Sequence, residues 1–249
     1  MTRVGFLYPG YSAEDDYTAF AAMFGGEIEL PVVHTLMRED AHRVDALLDV
    51  GGEEVLATGA RELSRMRVES AVWACTSGSF VFGWEGARKQ VQGVRNAAGV
   101  PSSSTSFAFV HALRQLRVTR VAIAATYPED VARRFVDFLG EAGVTVLSLA
   151  SHGIVTAAEV GDLDPDEVLD FVISNDHPRA EAILVPDTAL HSADLIEPME
   201  ALIGKTVLTA NQVSIWEGLR LAGVTAARSG PGTLFRSGAT AFTSALAAR

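Results

Sequence analysis

The chain repeats itself, and the repeat limits what it can fold into. Thr2-Arg3-Val4-Gly5-Phe6-Leu7-Tyr8-Pro9 returns as Thr119-Arg120-Val121-Ala122-Ile123-Ala124-Ala125-Thr126-Tyr127-Pro128. Each is an apolar, strand-like run that ends in a Tyr-Pro turn with acidic residues close behind. A helical stretch follows each run, Asp16 to Phe24 and Val131 to Ala142, and then another strand, Glu27 to Val33 and Val144 to Leu149. Two further pairs keep the same order. Ser70-Ala71-Val72-Trp73 leads into Ala74-Cys75-Thr76-Ser77-Gly78-Ser79, and Ala182-Ile183-Leu184-Val185 leads into Pro186-Asp187-Thr188-Ala189-Leu190. Ser104-Thr105-Ser106-Phe107 parallels Ala210-Asn211-Gln212-Val213.

The pattern reads β-α-β-α-β-α, twice. Alternating strands and helices joined by short loops predict an α/β fold of two pseudo-symmetric halves, each a parallel sheet flanked by helices. The expected divisions are residues 1–113, a half carrying Cys75, and 114–220, a half carrying Asp187. Residues 221–249 form a closing segment, with a helix over Thr233 to Ala248 that packs back on the first half. In parallel sheets, ligands bind beyond the carboxyl ends of the strands. Both Tyr-Pro turns, the cysteine turn, the aspartate turn and both Ser/Asn-rich turns fall there. If the halves face each other, all of them line one cleft.

Cys75 is the only cysteine of 249 residues, so it acts as a thiol. Within a strand it would be an inert core residue. At the strand's exit, before small polar residues that start a helix, its thiolate would be favoured by the helix N-terminus. Asp187 holds the matching place in the second half. As a helix N-cap it has a structural role, and as a carboxylate opposite a thiol it has a proton-transfer role. The donors that make it a cap also favour its charged form, hence a base. The phenol of Tyr127 can donate to a substrate oxygen, whereas Tyr8 reads as a packed aromatic.

Other classes of function find no support. The net charge of −11 argues against a nucleic-acid or membrane-surface partner. No apolar run is long enough to cross a bilayer and no secretory leader is visible, so the cytoplasm is the expected location. No dinucleotide or phosphate-loop glycine motif is present. The six histidines, His42 among them, show no zinc spacing, although Asp187 and His191 could share a helix face. Asp164-Pro165-Asp166-Glu167 reads as a capped helix start.

These motifs together resemble the aspartate/glutamate racemase superfamily, and within it the maleate cis-trans isomerase and arylmalonate decarboxylase branch. Tyr8-Pro9, the Ala74 to Ser79 turn, Thr126-Tyr127-Pro128, Asp187-Thr188 and Thr209-Ala210-Asn211-Gln212 with Trp216 carry the resemblance, which covers essentially the whole chain. It implies an aspartate/glutamate racemase-like fold with the active site between the halves, no metal and no organic cofactor. It also implies a small carboxylate or dicarboxylate substrate and a homo-oligomer, a dimer or larger. Cys75 matches the first of two catalytic cysteines. Thr76, Ser77, Tyr127 and Asn211 match residues that hold substrate carboxylates, and Pro9 and Thr188 complete the expected binding set.

The chain departs from this pattern where a second cysteine would stand, because it has Asp187 there. The loop after Tyr8 reads Gly10-Tyr11-Ser12-Ala13 and lacks an asparagine that isomerases often carry. The expectation is a cofactor-independent isomerase of the maleate isomerase or racemase type, with Cys75 as nucleophile or base and Asp187 as the opposing acid/base. A decarboxylase or other lyase is the first alternative, and a non-catalytic carboxylate-binding protein the second.

Overall fold

The computed structural model describes residues 1–240. The first part of the chain runs β1 (Thr2–Pro9), α1 (Asp15–Met23), β2 (Ile28–Glu29), β3 (Val32–Thr35), α2 (Val44–Val50), α3 (Glu53–Arg65) and β4 (Ser70–Trp73). It continues through α4 (Ser77–Phe80), α5 (Gly83–Ala98), β5 (Ser102–Ser104) and α6 (Thr105–Leu116). The second part runs β6 (Arg120–Ala125), α7 (Glu129–Glu141), β7 (Thr145–Ser151), α8 (Ala157–Gly161), α9 (Pro165–Ser174) and β8 (Ala182–Val185). Then come α10 (Ile196–Ile203), β9 (Thr206–Thr209), α11 (Ala210–Leu221) and α12 (Gly232–Arg236).

The two sheets have the same plan. In the first, β1 lies between β2/β3 on one side and β4 on the other, with β5 outside β4; in the second the order is β7-β6-β8-β9. Every pairing is parallel. Leu7 stands opposite Trp73 in the first sheet, and Ile123 stands opposite Leu184 in the second. The central strands are buried on both faces, which explains their continuous apolar runs.

Three local readings need correction. The strand expected over Glu27 to Val33 is two short ones, β2 and β3, interrupted at Leu30-Pro31, because proline has no N–H to give a sheet ladder. Each half gains a further strand, β5 and β9, too short to show a period. The helix expected straight after Asp187 is a turn, and helix resumes only at Ile196. Asp164 does cap α9, where its side chain and that of Glu167 complete a capping box.

The halves interlock. Helix α11 of the second half lies on β4, β5 and β1 of the first. It can do so because Gly218 has no side chain: a Cβ there would lie 2.3 Å from Val4 Cγ1. Ser70 Oγ donates to the Gly218 carbonyl across that contact at 2.7 Å. Phe235 of α12 packs tilted against Phe24, 5.6 Å between ring centroids, and Arg228 sits over the Phe24 ring. Among the described residues the expected closing helix appears as α12, and its stretch from residue 241 to 248 lies outside them.

Candidate active site

Cys75 leaves β4 and enters the four-residue helix α4. The Gly78 N–H donates to its Sγ at 3.2 Å, and Ser77 Oγ lies 3.8 Å away. The turn closes this tightly because residue 78 is glycine; a Cβ there would meet the sulfur at 3.0 Å and Trp73 at 3.1 Å. The thiol is only 5% exposed. Burial pushes it up to about 11, the Gly78 N–H and Ser77 pull it back only in part, and the Asp187 charge raises it further. The sequence expectation of a helix-stabilised thiolate is therefore reversed. In this closed site Cys75 is a protonated thiol at neutral pH, because one helical turn cannot offset complete desolvation.

Asp187 leaves β8 in the matching way and is 4% exposed. Its Oδ1 accepts the Ala189 N–H at 2.9 Å, and its Oδ2 accepts the Thr126 hydroxyl from the end of β6. It caps a tight turn, not a helix, and both oxygens are held. Cys75 and Asp187 line one cavity, together with Pro9, Ser77 and Thr188. The cavity is about 30 Å³, room for roughly two waters. An organic acid fits only after a wall has moved.

The outer wall is a strap, residues 36–43, that runs from β3 across the cleft to the second half. Asp40 Oδ1 accepts the Ala157 N–H at 2.7 Å and its Oδ2 accepts the Ala158 N–H at 3.0 Å. The His42 N–H donates to the Val155 carbonyl. The strap brings Glu39, Asp40 and His42 to the cavity, while Met37, Leu47 and Val50 supply apolar surface. Nothing in the sequence around His42 signals a site. Only the strap's crossing, set by contacts more than a hundred residues apart, brings it in.

The remaining expected site residues lie behind the cavity wall. The Tyr127 hydroxyl donates to the Pro186 carbonyl, which fixes the approach to Asp187. Burial, followed by the Asp187 and Cys75 charges, pushes the Tyr127 phenol well up, so it stays a donor. The Thr76 hydroxyl is fully buried and lacks a well-formed hydrogen bond. Asn211 does not line the cavity. Its Nδ2 donates to Asp16 Oδ2 at 3.0 Å and to the Thr188 carbonyl at 3.1 Å, and Tyr17 donates to its Oδ1. Asp16 also accepts from the N–H groups of Ser192 and Ala193. This network ties α1 to the Asp187-Thr188 turn, and Tyr8 ties β1 to it through a hydroxyl that donates to the Thr188 carbonyl at 2.9 Å.

His191 turns away from Asp187. Its Nε2 lies 2.8 Å from Asp15 Oδ1, so the expected shared helix face does not form. Among the described residues no cluster of three His, Cys, Asp or Glu is placed to hold a metal, and no helix is long and apolar enough to cross a membrane. A wider depression of about 710 Å³ beside Glu200, Lys205 and Arg236 contains neither Cys75 nor Asp187. Its charged groups are already paired, Glu200 with Arg236 and Lys205 with Asp176.

Two matched parallel sheets, with a thiol turn from one and a carboxylate turn from the other meeting in a common cavity, define the aspartate/glutamate racemase-like fold. The chain belongs to the arylmalonate decarboxylase family, whose model matches residues 45–235. It is 32% identical over 145 residues to arylmalonate decarboxylase of Bordetella bronchiseptica, covering 57% of this chain and 60% of that protein. It is 26% identical over 171 residues to a maleate isomerase of Alcaligenes faecalis, covering 66% and 68%. Among solved structures it resembles a liganded arylmalonate decarboxylase variant in which one glycine is cysteine and one cysteine is serine. There the TM-score is 0.84 and the identity 26%, over 94% of this chain and 99% of that one. These relatives are enzymes, an isomerase and a decarboxylase.

Proposed function

We propose that this chain is an isomerase that inverts the carbon next to the carboxylate of a small organic acid by proton transfer between two walls. Asp187 removes the proton from one face as base. Cys75, a protonated thiol, returns a proton to the opposite face. One observation carries this reading: Cys75 and Asp187 reach the same cavity from equivalent turns of the two halves. The Ser77 hydroxyl, which lines the cavity 3.8 Å from the sulfur, supports the negative charge that develops on the substrate carboxylate. Such a donor contributes about 3 kcal/mol of transition-state stabilisation.

The charges of the cleft favour a monocarboxylate over a dicarboxylate. The cavity is lined by Glu39, Asp40 and Asp187, with His42 the only basic side chain. A dianion entering there meets like charge at close range.

A decarboxylase is the second reading, favoured by the family and by the state of the thiol. Loss of carbon dioxide leaves an electron pair on the α carbon, and the Cys75 S–H supplies the proton that quenches it. The readings separate on a panel of maleate, arylmalonates and single antipodes of 2-arylpropanoates. Loss of optical purity without gas supports the isomerase, and carbon dioxide from an arylmalonate supports the decarboxylase. Either activity is expected to fall 10²- to 10⁴-fold in Cys75→Ala. An unchanged rate in that variant rejects both.

A further inference from the structure

Inversion in one direction leaves a problem of protons. After a turnover Asp187 holds the substrate's proton and Cys75 is a thiolate. Both sit in a cavity closed by the strap, each about 5% exposed or less. The burial that keeps the thiol protonated makes this state unfavourable, and it has to be reset before the same antipode is bound again. A proton must leave Asp187 and another must reach Cys75.

His42 is built for the first of these transfers. It is 6% exposed and lines the cavity with Cys75 and Asp187. Its Nδ1 faces the Ile154 carbonyl at 3.2 Å. A carbonyl only accepts, so the hydrogen-bond pattern assigns the hydrogen to Nδ1 and leaves the lone pair on Nε2. That Nε2 lies 3.9 Å from Asp187 Oδ2. The ring is oriented by the edge of Tyr127, 4.9 Å between centroids, and the backbone by the Val155 carbonyl. An imidazole can accept a proton on one ring nitrogen while the other keeps its hydrogen bond, which suits it to pass protons along. The 3.9 Å gap closes with a small shift of the strap or through one water, as acid–base contacts commonly tighten once substrate is bound.

We propose that His42 is the proton relay for Asp187. The Oδ2–H bond of protonated Asp187 breaks, its proton forms a new bond to His42 Nε2, and the carboxylate is restored. The imidazolium gives that proton to water when the strap lifts, and the Cys75 thiolate takes one from water. Protons balance and no electrons change hands. This inference rests on Asp187 being the base, and the test below separates the two claims.

The experiment compares wild type, Asp187→Asn, His42→Gln and His42→Ala on one antipode of 2-phenylpropanoate, with alkylation of the single thiol by iodoacetamide as a check on the strap. The relay predicts that His42→Gln lowers kcat at least tenfold with KM within about threefold and the alkylation rate unchanged. It also predicts that added imidazole restores part of the lost rate in His42→Ala. Asp187→Asn at the wild-type rate would overturn the base assignment itself. An inactive Asp187→Asn beside a His42→Gln within twofold of wild type would overturn the relay alone. A slow His42→Ala that imidazole leaves unchanged, and whose thiol alkylates faster, would reduce His42 to a strap anchor and also overturn the relay.

Discussion

The state of Cys75 gives a prediction that needs no substrate. A thiol pushed up to about 11 is ionised to roughly 1 part in 1,000 at pH 8, against about 1 in 10 for a thiol at its ordinary 9.0. The thiolate is the form that alkylates, so protonation alone makes the folded protein about 100-fold slower than the unfolded chain. Restricted access slows it further. With a single cysteine, every iodoacetamide adduct seen by intact-mass spectrometry reports this one site. The logarithm of the rate should climb with unit slope from pH 7 to pH 10 without levelling. The same shift is linked to stability. Between pH 9 and 11 the unfolded chain loses the thiol proton and the folded one keeps it, so the unfolded state binds fewer protons and stability falls as pH rises. The loss amounts to about 3 kcal/mol, complete near pH 11 and absent below pH 9. Tyr8, Tyr17 and Tyr127 are raised by burial in the same sense, so the Cys75 share is the difference between wild type and Cys75→Ala in urea unfolding. A rate plateau below pH 9 would refute this reasoning, because it would mean a thiolate already formed in the folded site.

Two further outcomes test the frame around the site. Gly218→Ala drives a methyl group into Val4 and toward Val72 and Phe6, all fully buried. The overpacking costs about 1–3 kcal/mol and helix propensity returns up to about 1, so Tm should fall by a few degrees in a thermal melt; an unchanged Tm would mean that α11 is not tightly seated on the first sheet. Glu217 is buried between His111 and Arg220, and although burial alone would raise its carboxyl, those two charges hold it near 2. Its contribution, about 3 kcal/mol, is present above pH 4.5 and is lost as pH falls toward 2. Glu217→Gln should therefore flatten the acid limb of the stability curve, and an equally steep limb would dismiss the network.

Much of this was legible in the sequence, and its limits have physical causes. The paired Thr-Arg-Val runs and their Tyr-Pro turns announced two matching parallel sheets, because strands buried on both faces leave continuous apolar runs. The equivalence of the Cys75 and Asp187 turns placed both groups at one cleft. What sequence could not give was the environment at each position. A helix N-terminus after Cys75 suggested a thiolate, but the depth of burial decides the proton, and depth comes from the whole fold. Asn211 was expected at the substrate because its type and place fit, whereas Asp16, nearly two hundred residues away, engages its amide. Residues 187–190 carry good capping residues, yet the Asp187 side chain closes a turn there and helix is delayed to Ile196. His42 left no signal, since a strap that crosses between halves has no period and no motif.

Inversion by this site requires that the two walls handle different faces of one carbon. A single antipode of 2-phenylpropanoate incubated in D2O should return the opposite antipode carrying deuterium at the α carbon. In Cys75→Ala, inversion should cease while exchange persists in the one antipode whose C–H bond faces Asp187. Inversion that survives in Cys75→Ala, or exchange lost alike from both antipodes, would contradict it.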